Sequence, residues 1–217
     1  MTVKKVNEAQ VSNDGEFQIM KEKPFSAKIR IQGTKDILFH AWNTEDVEAK
    51  AEAKKGSEQK KTDNLEAYVY RDERGFICIP GRYIVRSIVE AGRNFNDPRS
   101  SKPKQAKELM KKAIICDDLL SPILIDNKPV VNWDYEDKQR VCIMRSAVTR
   151  TRPAFRKGWE VEFSIISLMP DIVTPSFLRN LLDSAGMFEG LGDYRPTYGR
   201  FKVIKWEIEH NINSDLI

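Results

Sequence analysis

The sequence has few of the residues on which metal and cofactor chemistry depends. Its 217 residues include two histidines, His40 and His210, and three widely separated cysteines, Cys78, Cys116 and Cys142. A zinc site needs several such ligands held together. An odd number of dispersed cysteines fits reduced thiols in a cytosolic protein better than a disulfide framework. The HExxH, GxSxG, Rossmann and Walker patterns are missing too, so we expect no cofactor and no metal.

Long apolar runs are also missing. No stretch of about 18 apolar residues occurs, which predicts no membrane-spanning helix, and the N-terminal residues lack the apolar segment of a signal peptide. Apolar residues make up 41% of the chain and charged residues 31%, a balance typical of a globular protein with a charged surface. We therefore expect a cytoplasmic protein with one domain and no membrane partner.

The basic residues are concentrated in a few segments, although the net charge is only +4. Residues 138–157 carry seven lysines and arginines and no acid, and residues 195–205 carry four and no acid. Residues 93–112 carry seven against two acids. Segregated charge of this kind is typical of proteins that bind a polyanion, and we interpret it as a surface for single-stranded nucleic acid.

The hydrophobic pattern predicts an α+β fold. Strands are predicted at 25–33, 36–41, 120–125, 140–148, 158–168 and 200–209, a hairpin at 66–79, and helices at 80–92, 104–115 and 174–186. Thr174 suits the N-cap of the last helix and Gly186 its end. Without insertions the order is βαββαβ, the ferredoxin-like (RRM-like) arrangement, with an antiparallel sheet and helices on one face. The open face of such a sheet holds single strands in many RNA-binding domains.

The hydrophobic pattern also predicts the boundaries of the domain and of its insertions. Residues 1–23 are predicted to form a flexible arm and residues 24–210 a single domain, followed by a tail at 211–217. Charged insertions are predicted at 43–64 and 93–137, and residues 149–157 are expected to form an exposed connection between strands.

A glycine-rich loop before the last strand is the first candidate for binding. Glycines allow the backbone to approach a phosphate closely, arginines bind phosphates and tyrosines stack on bases. The residues concerned are Gly190, Gly192, Tyr194, Arg195, Tyr198, Gly199 and Arg200. The alternative is an ordinary helix-to-strand connection whose glycines only turn the chain.

Two further segments have the same chemistry. Arginines in 145–157 can hold phosphates while Phe155 stacks between bases, or Phe155 can be tucked into the fold beside a solvated basic hairpin. The helix that opens at Pro80-Gly81 can bind an anion at its N-terminus, or it is a simple helix start. The residues concerned are Gly81, Arg82, Arg86, Arg145, Arg150, Arg152, Phe155 and Arg156.

Candidates for catalysis are few. Asp63 precedes the hairpin and is a weak candidate for RNA cleavage, although most aspartates in such loops are simply solvated. His40 lies in an apolar strand, where a core or edge histidine is the simpler interpretation.

Three segments together resemble the RAMP superfamily: 76–92 (FICIPGRYIVRSIVEAG), 148–165 (VTRTRPAFRKGWEVEFSI) and 190–203 (GLGDYRPTYGRFKV). The greatest likeness is to the backbone subunits that coat guide RNA in CRISPR effector complexes. The resemblance implies a modified ferredoxin-like fold, a projecting thumb hairpin and head-to-tail packing along RNA with other CRISPR-like subunits. The chain is short for such a subunit, which also fits a stand-alone relative from a phage or mobile element.

Residue roles follow from the resemblance by position. It places Gly81, Arg82 and Arg86 in the nucleic-acid groove, and it makes 190–199 the family's glycine-rich loop. It places Arg150, Arg152 and Phe155 near the second hairpin. Some of these subunits cleave RNA with an aspartate at a position similar to Asp63. Here the spacing to the hairpin is longer, and Ile-Pro-Gly is followed by Arg-Tyr-Ile rather than a serine-rich helix start.

Three hypotheses remain open at this point. The first is a non-catalytic, oligomerising binder of single-stranded RNA, or less favourably DNA, whose affinity comes from phosphate contacts and stacking. The second is a ribonuclease that uses Asp63. The third is a protein-interaction module that mimics or caps a CRISPR subunit.

Overall fold

A computed structural model describes residues 23–42, 48, 52, 64–143 and 146–210. Nearly all of the predicted N-terminal arm, most of the insertion at 43–64, and the C-terminal tail lie outside these residues.

Within the described residues the chain forms eleven strands and three α-helices. The strands are β1 Phe25–Gly33, β2 Ile37–Leu38, β3 Tyr70–Arg71, β4 Ile77–Pro80, β5 Ile114–Cys116, β6 Leu120–Ile125, β7 Lys128–Pro129, β8 Tyr135–Ile143, β9 Ser146–Phe155, β10 Glu160–Ser167 and β11 Phe201–Glu209. The helices are α1 Gly81–Ala91, α2 Lys107–Ala113 and α3 Pro175–Ser184. Shorter helical turns lie at Glu66–Tyr68, Gly92–Asn94 and Ala185–Glu189.

The main sheet confirms the predicted ferredoxin-like fold. Its strand order is β11-β1-β10-β6-β4-β3, and each neighbouring pair is antiparallel. Taken with α1 and α3, the four strands β1, β6, β10 and β11 give the βαββαβ sequence order with the first strand between the third and the last. A second, three-stranded sheet is made by β2, β9 and β8.

Alternating side chains build the core, as the strand pattern predicted. Every second residue of β1, from Phe25 to Ile31, is buried, and so are Val161, Phe163 and Ile165 of β10. They join apolar residues of all three helices in one cluster. Trp159 is fully buried beside Gly33, and its indole N–H donates to the carbonyl of Lys35 at 2.9 Å. This core fixes the sheet that carries the loops described below.

The predicted exposed connection at 149–157 is wrong. These residues form most of β9, which pairs with β8 from Tyr135↔Ala154 to Ile143↔Ser146 as a long hairpin. The base of β9 is buried, including Ala154 and Phe155, because it also pairs with β2. The arginines concealed the strand, because the segment from Thr149 to Arg152 contains no apolar residue.

The predicted end of the third helix at Gly186 is also wrong. The N-cap prediction is confirmed, since the Thr174 hydroxyl accepts from the Phe177 N–H at 3.3 Å. At the other end the chain continues through Ala185–Glu189, and Gly190, at φ 73°, ends it. Gly186 is needed for close packing instead, because a Cβ there would overlap the Phe201 carbonyl.

No helix in the described ranges has both the length and the apolar character required to cross a membrane.

Candidate nucleic-acid interface

Two arginines project from the first turns of α1. The helix begins at Gly81, whose N–H donates to the Leu119 carbonyl at 3.0 Å. A Cβ at Gly81 would overlap the Asp118 backbone, so the close approach requires glycine. Arg82 and Arg86 lie one turn apart and are both exposed, so the start of α1 presents two positive charges to solvent.

Arg82 is held in place by two tyrosines. Its guanidinium donates to the Tyr70 hydroxyl at 2.9 Å and lies over the rings of Tyr70 and Tyr83, at 5.3 and 5.7 Å from their centroids. The two tyrosine hydroxyls are 3.1 Å apart. Burial and the hydrogen bond with Tyr70 raise the pKa of Tyr83 to about 12, so its hydroxyl stays protonated at neutral pH and remains a donor.

The glycines of the 190–199 loop are explained by backbone geometry. Gly190, Gly192 and Gly199 all have φ between 73 and 78°, a region that other residues rarely adopt. The loop closes where Leu191 N–H donates to the Gly199 carbonyl at 2.9 Å and Gly199 N–H donates to the Asp36 carbonyl at 2.7 Å. The glycines are therefore required by the backbone conformation of the loop. This agrees with the alternative interpretation of the sequence, in which they only turn the chain between a helix and a strand.

The loop brings Arg195 to the side of α1 that carries Arg86. Together they line a cleft of about 480 Å³, whose other lining residues are Glu189, Gly192, Asp193, Tyr194 and Pro196. Arg195 donates to the Gly190 carbonyl at 3.3 Å, and 46% of Tyr194 is exposed. We call the surface defined by Arg82, Arg86 and Arg195 the basic cleft.

Asp193 lies in the same cleft and is paired with a buried arginine. Its Oδ2 accepts from Arg152 Nε at 2.6 Å and lies 3.8 Å from His40 Nδ1. The Arg152 side chain is only 7% exposed, and its guanidinium lies 5.6 Å from the Tyr194 ring centroid. Arg152 therefore neutralises Asp193, which leaves Arg86 and Arg195 against Glu189 in the cleft lining, with Arg82 at its border along α1.

The β8–β9 hairpin contacts Tyr68, which packs against His40, through Arg150. Its guanidinium donates to the Tyr68 hydroxyl at 3.2 Å, and the Tyr68 ring packs edge-on against His40 with centroids 4.4 Å apart. Tyr198 accepts a hydrogen bond from Gln139 of β8 at 2.6 Å. The hairpin is thus joined to the glycine-rich loop through Gln139 and to Tyr68 through Arg150.

Other candidates lie elsewhere. Phe155 is fully buried and packs edge-on against Phe39, so it cannot stack on a base; this corrects the stacking interpretation. Arg156 lies over the Tyr135 ring at the base of the hairpin, and Arg200 donates to the Pro196 carbonyl at 2.9 Å; neither lines the cleft. Arg145 and Asp63 lie outside the described residues.

The open face of the main sheet has a different character. Its outward side chains in β1, β10 and β11 alternate in sign, with ion pairs Lys28–Glu162, Arg30–Glu160 and Lys205–Glu207 at 3.0 to 3.4 Å. The paired outward positions contain no aromatic residue; they are Ser26, Lys28, Arg30, Gln32, Glu160, Glu162, Ser164, Ile166, Lys202, Lys205, Glu207 and Glu209. This face lacks the stacking platform and the net charge that single-strand binding on a sheet requires.

An apolar groove of about 830 Å³ adjoins the basic cleft along α1, and Arg82 and Arg86 border it. Its walls include Val85, Ile115 and Leu119, and 87% of Leu119 is exposed. Such a groove is typical of a contact surface for another protein.

Sequence reasoning missed three residues of this region, Tyr70, Tyr83 and Asp193, and it interpreted His40 as a core or edge histidine. Asp193 carried one signal, since it stands between two predicted binding residues in GLGDYR. The tyrosines carried none, because their contacts with Arg82 depend on how the chain folds.

No family model matches the sequence, and no curated protein matches it. Among solved structures, a chain of the Type III-B Cmr-beta bound to cognate target RNA aligns with 87% of this chain at a TM-score of 0.51 and 11% identity. This chain covers 61% of the length of that one. The Csm3-Csm4 subcomplex of the type III-A CRISPR-Cas interference complex aligns with 86% of this chain and 78% of that one, at 12% identity. Its TM-score of 0.40 is too low to support an argument. The likeness shows that this chain shares the fold of that Cmr-beta chain.

Proposed function

We propose that this protein binds single-stranded nucleic acid, with RNA favoured over DNA, along the basic cleft. The observation that carries the proposal is the convergence of Arg86 and Arg195. They come from distant parts of the chain and line one polar cleft, with Tyr194 exposed beside them. Arginines contact phosphates and an exposed tyrosine stacks on a base, which is the usual combination for sequence-tolerant binding of single strands.

The fold likeness supports RNA as the partner. The Cmr-beta structure that shares this fold is bound to target RNA, and the basic cleft includes Arg82 and Arg86, to which the resemblance gives a role in nucleic-acid binding. The charge-balanced open face of the sheet offers no competing surface of the same kind.

The salt dependence of binding measures the number of phosphate contacts. Each contact to a single strand contributes a slope of about 0.7 in log affinity against log salt. Three arginines therefore predict that affinity falls about 20-fold when salt rises from 50 to 200 mM, since three contacts give a slope of about 2.1. We expect R86A/R195A to bind more weakly and to lose only about threefold over the same range. Fluorescence anisotropy with a labelled mixed-sequence 20-mer measures both.

A matched control removes two lysines from the open face. K28A/K205A takes away the same charge, and both side chains are about half exposed, so we expect near-normal affinity and salt slope. A larger loss in K28A/K205A than in R86A/R195A would place the strand on the sheet and refute the cleft. Arg152 is excluded from these variants because it is a buried structural partner of Asp193.

The apolar groove supports the assembly of several copies on one strand as part of the proposal. Copies of the chain pack head to tail along one strand, as the resemblance implies, and the groove beside α1 supplies a surface for the neighbouring copy. Light scattering should show more copies on a 48-mer RNA than on a 12-mer, whereas L119D should bind each RNA as single, separated copies. One copy per strand at every length would contradict this assembly, and a protein partner captured without nucleic acid would favour the capping-module hypothesis.

A further inference from the structure

One carboxylate in the cleft lined by Arg86 and Arg195 is not explained by phosphate binding. Glu189 lines this cleft and is only partly exposed. Within the described part of the chain its side chain accepts no hydrogen bond and forms no ion pair, whereas Asp193 is paired with Arg152. A negative charge beside two arginines weakens their attraction for a phosphate, so Glu189 is suited to a different part of the ligand.

The backbone that carries Glu189 is fixed before any ligand binds. Glu189 ends the helical turn that follows α3, and the N–H of Gly190 donates to the Ala185 carbonyl at 2.8 Å. The Gly190 carbonyl accepts from the buried Ser87 hydroxyl of α1 at 2.9 Å and from Arg195 at 3.3 Å. A group held in this way loses little conformational freedom when it binds a partner.

The cleft also contains an aromatic ring and has room for a base. Tyr194 lines it with a backbone φ of 57°, which is uncommon for a residue other than glycine, and its ring packs edge-on against Tyr198 with centroids 6.3 Å apart. Nearly half of Tyr194 remains exposed. The cleft volume of about 480 Å³ lies within the range of about 300–1,000 Å³ that is usual for small-ligand pockets, so a nucleobase stacked on Tyr194 has room to reach Glu189.

The chemistry of a carboxylate selects among the four bases. An ionised carboxylate only accepts hydrogen bonds, through two oxygens. In a single strand the Watson–Crick edge is free, and that of guanine presents two adjacent donors, N1–H and N2–H. Adenine and cytosine place one amino group beside an accepting ring nitrogen, and uracil places its one N–H between two carbonyls. Each of these three sets an acceptor against the carboxylate, so guanine is the base that it binds best.

From this geometry we propose that the cleft is a guanine-preferring subsite and that Glu189 is its specificity-determining residue. This rests on the proposed function, since the phosphates of the bound strand must contact Arg86 and Arg195. The guanine ring stacks on Tyr194, and its N1–H and N2–H donate to the two carboxylate oxygens of Glu189. Binding along the rest of the strand is tolerant of sequence, so each copy selects one base.

The test compares the affinities of four labelled 12-mer RNAs by fluorescence anisotropy. Each is a run of uridines with one central guanosine, inosine, adenosine or cytidine. Inosine differs from guanosine only by the missing N2 amino group, and all three purines offer a similar ring to Tyr194, so these comparisons isolate the hydrogen bonds. We expect the protein to bind the guanosine strand at least about fivefold more tightly than each of the others, the lower end of what one bidentate contact to a base provides.

Two variants assign the preference to one side chain. E189Q keeps the size of the side chain but replaces one acceptor oxygen with a donor amide, so it should bind the guanosine strand no more tightly than the adenosine strand. E209Q is the matched control, because it removes the same charge from an exposed glutamate on the open face of the sheet. It should keep the full preference for guanosine.

The outcomes separate this inference from the proposed function. Equal affinity for all four strands overturns the guanine subsite and leaves the binding proposal standing, whereas failure to bind any strand overturns both. If E189Q binds every strand more tightly by one common factor and keeps the guanosine preference, Glu189 only repels phosphate and the assignment is wrong. An inosine strand that binds as tightly as the guanosine strand refutes the contact through two donors.

Discussion

Arg152 and Asp193 form one ion pair, but we predict that removing Asp193 lowers the free energy of unfolding more than removing Arg152 does. Arg152 is almost completely buried, whereas Asp193 is 31% exposed. Asp193→Ala leaves the guanidinium buried without its carboxylate, and Arg152 Nη1 already has no hydrogen-bond partner in the described structure. Breaking a buried pair in this way costs about 3–5 kcal/mol. Arg152→Met leaves a carboxylate that water can reach, so only a charged hydrogen bond is lost, at about 1.5 kcal/mol.

A double-mutant cycle tests the asymmetry directly. In the R152M background no buried charge remains, so adding D193A should cost less than about 1 kcal/mol, which implies a coupling energy of about 2–4 kcal/mol. Urea unfolding followed by circular dichroism gives the free energy of unfolding for the four proteins. The reasoning is refuted if R152M is the more destabilised single variant, or if the two losses simply add.

Two further predictions concern the loop and the pH dependence of stability. Gly199→Ala should lower the free energy of unfolding, measured by thermal unfolding, by at least about 2 kcal/mol more than Gly75→Ala. Both glycines have positive φ, but only at Gly199 does the backbone of a neighbour, Leu191, occupy the place of the Cβ. Equal losses of stability in the two variants would contradict this. The side-chain hydrogen bond from Arg99 lowers the pKa of Asp97 to about 2, below its value of about 3.9 in an unfolded chain. The stability that ionised Asp97 contributes is therefore complete above about pH 4 and is lost as the pH falls towards 2. The urea midpoint of the wild type should therefore decline more steeply over that pH window than the midpoint of D97N. Parallel curves for the two proteins would refute the assignment.

Local patterns were sufficient where a segment's own residues decide its structure. The alternation in β1 and β10 gave their faces correctly, and Thr174 gave the start of α3, because each signal is contained within a few neighbouring residues. The base of β9 could not be predicted in the same way. Its burial depends on pairing with β2, which is more than a hundred residues earlier in the chain, and its arginines resemble a solvated loop when read alone.

In the candidate site, too, the sequence predicted individual residues but not the contacts between distant parts of the chain. The sequence identified Arg86 and Arg195 as cations near glycines, but it did not show that they share one cleft. It offered Arg152 and Phe155 as ligand-binding residues, and both are buried because the base of β9, residues 152–155, is covered on both faces. His40 was interpreted as a core or edge histidine. Its place beside Asp193 depends on the glycine-rich loop folding back against β2.

Some residues at the cleft stabilise the fold, whereas others are available to a ligand. Gly199 and the buried Arg152 fix the loop, so changes there should lower stability first and binding only as a consequence. Arg86 is exposed and Arg195 is only partly buried at the cleft surface, so their removal should lower affinity while the free energy of unfolding changes by less than about 0.5 kcal/mol. Measuring both quantities on the same variants distinguishes a binding surface from a structural network of charges. If R86A/R195A lost stability and affinity in proportion, the arginines would be part of the scaffold, and the strand would have to bind elsewhere.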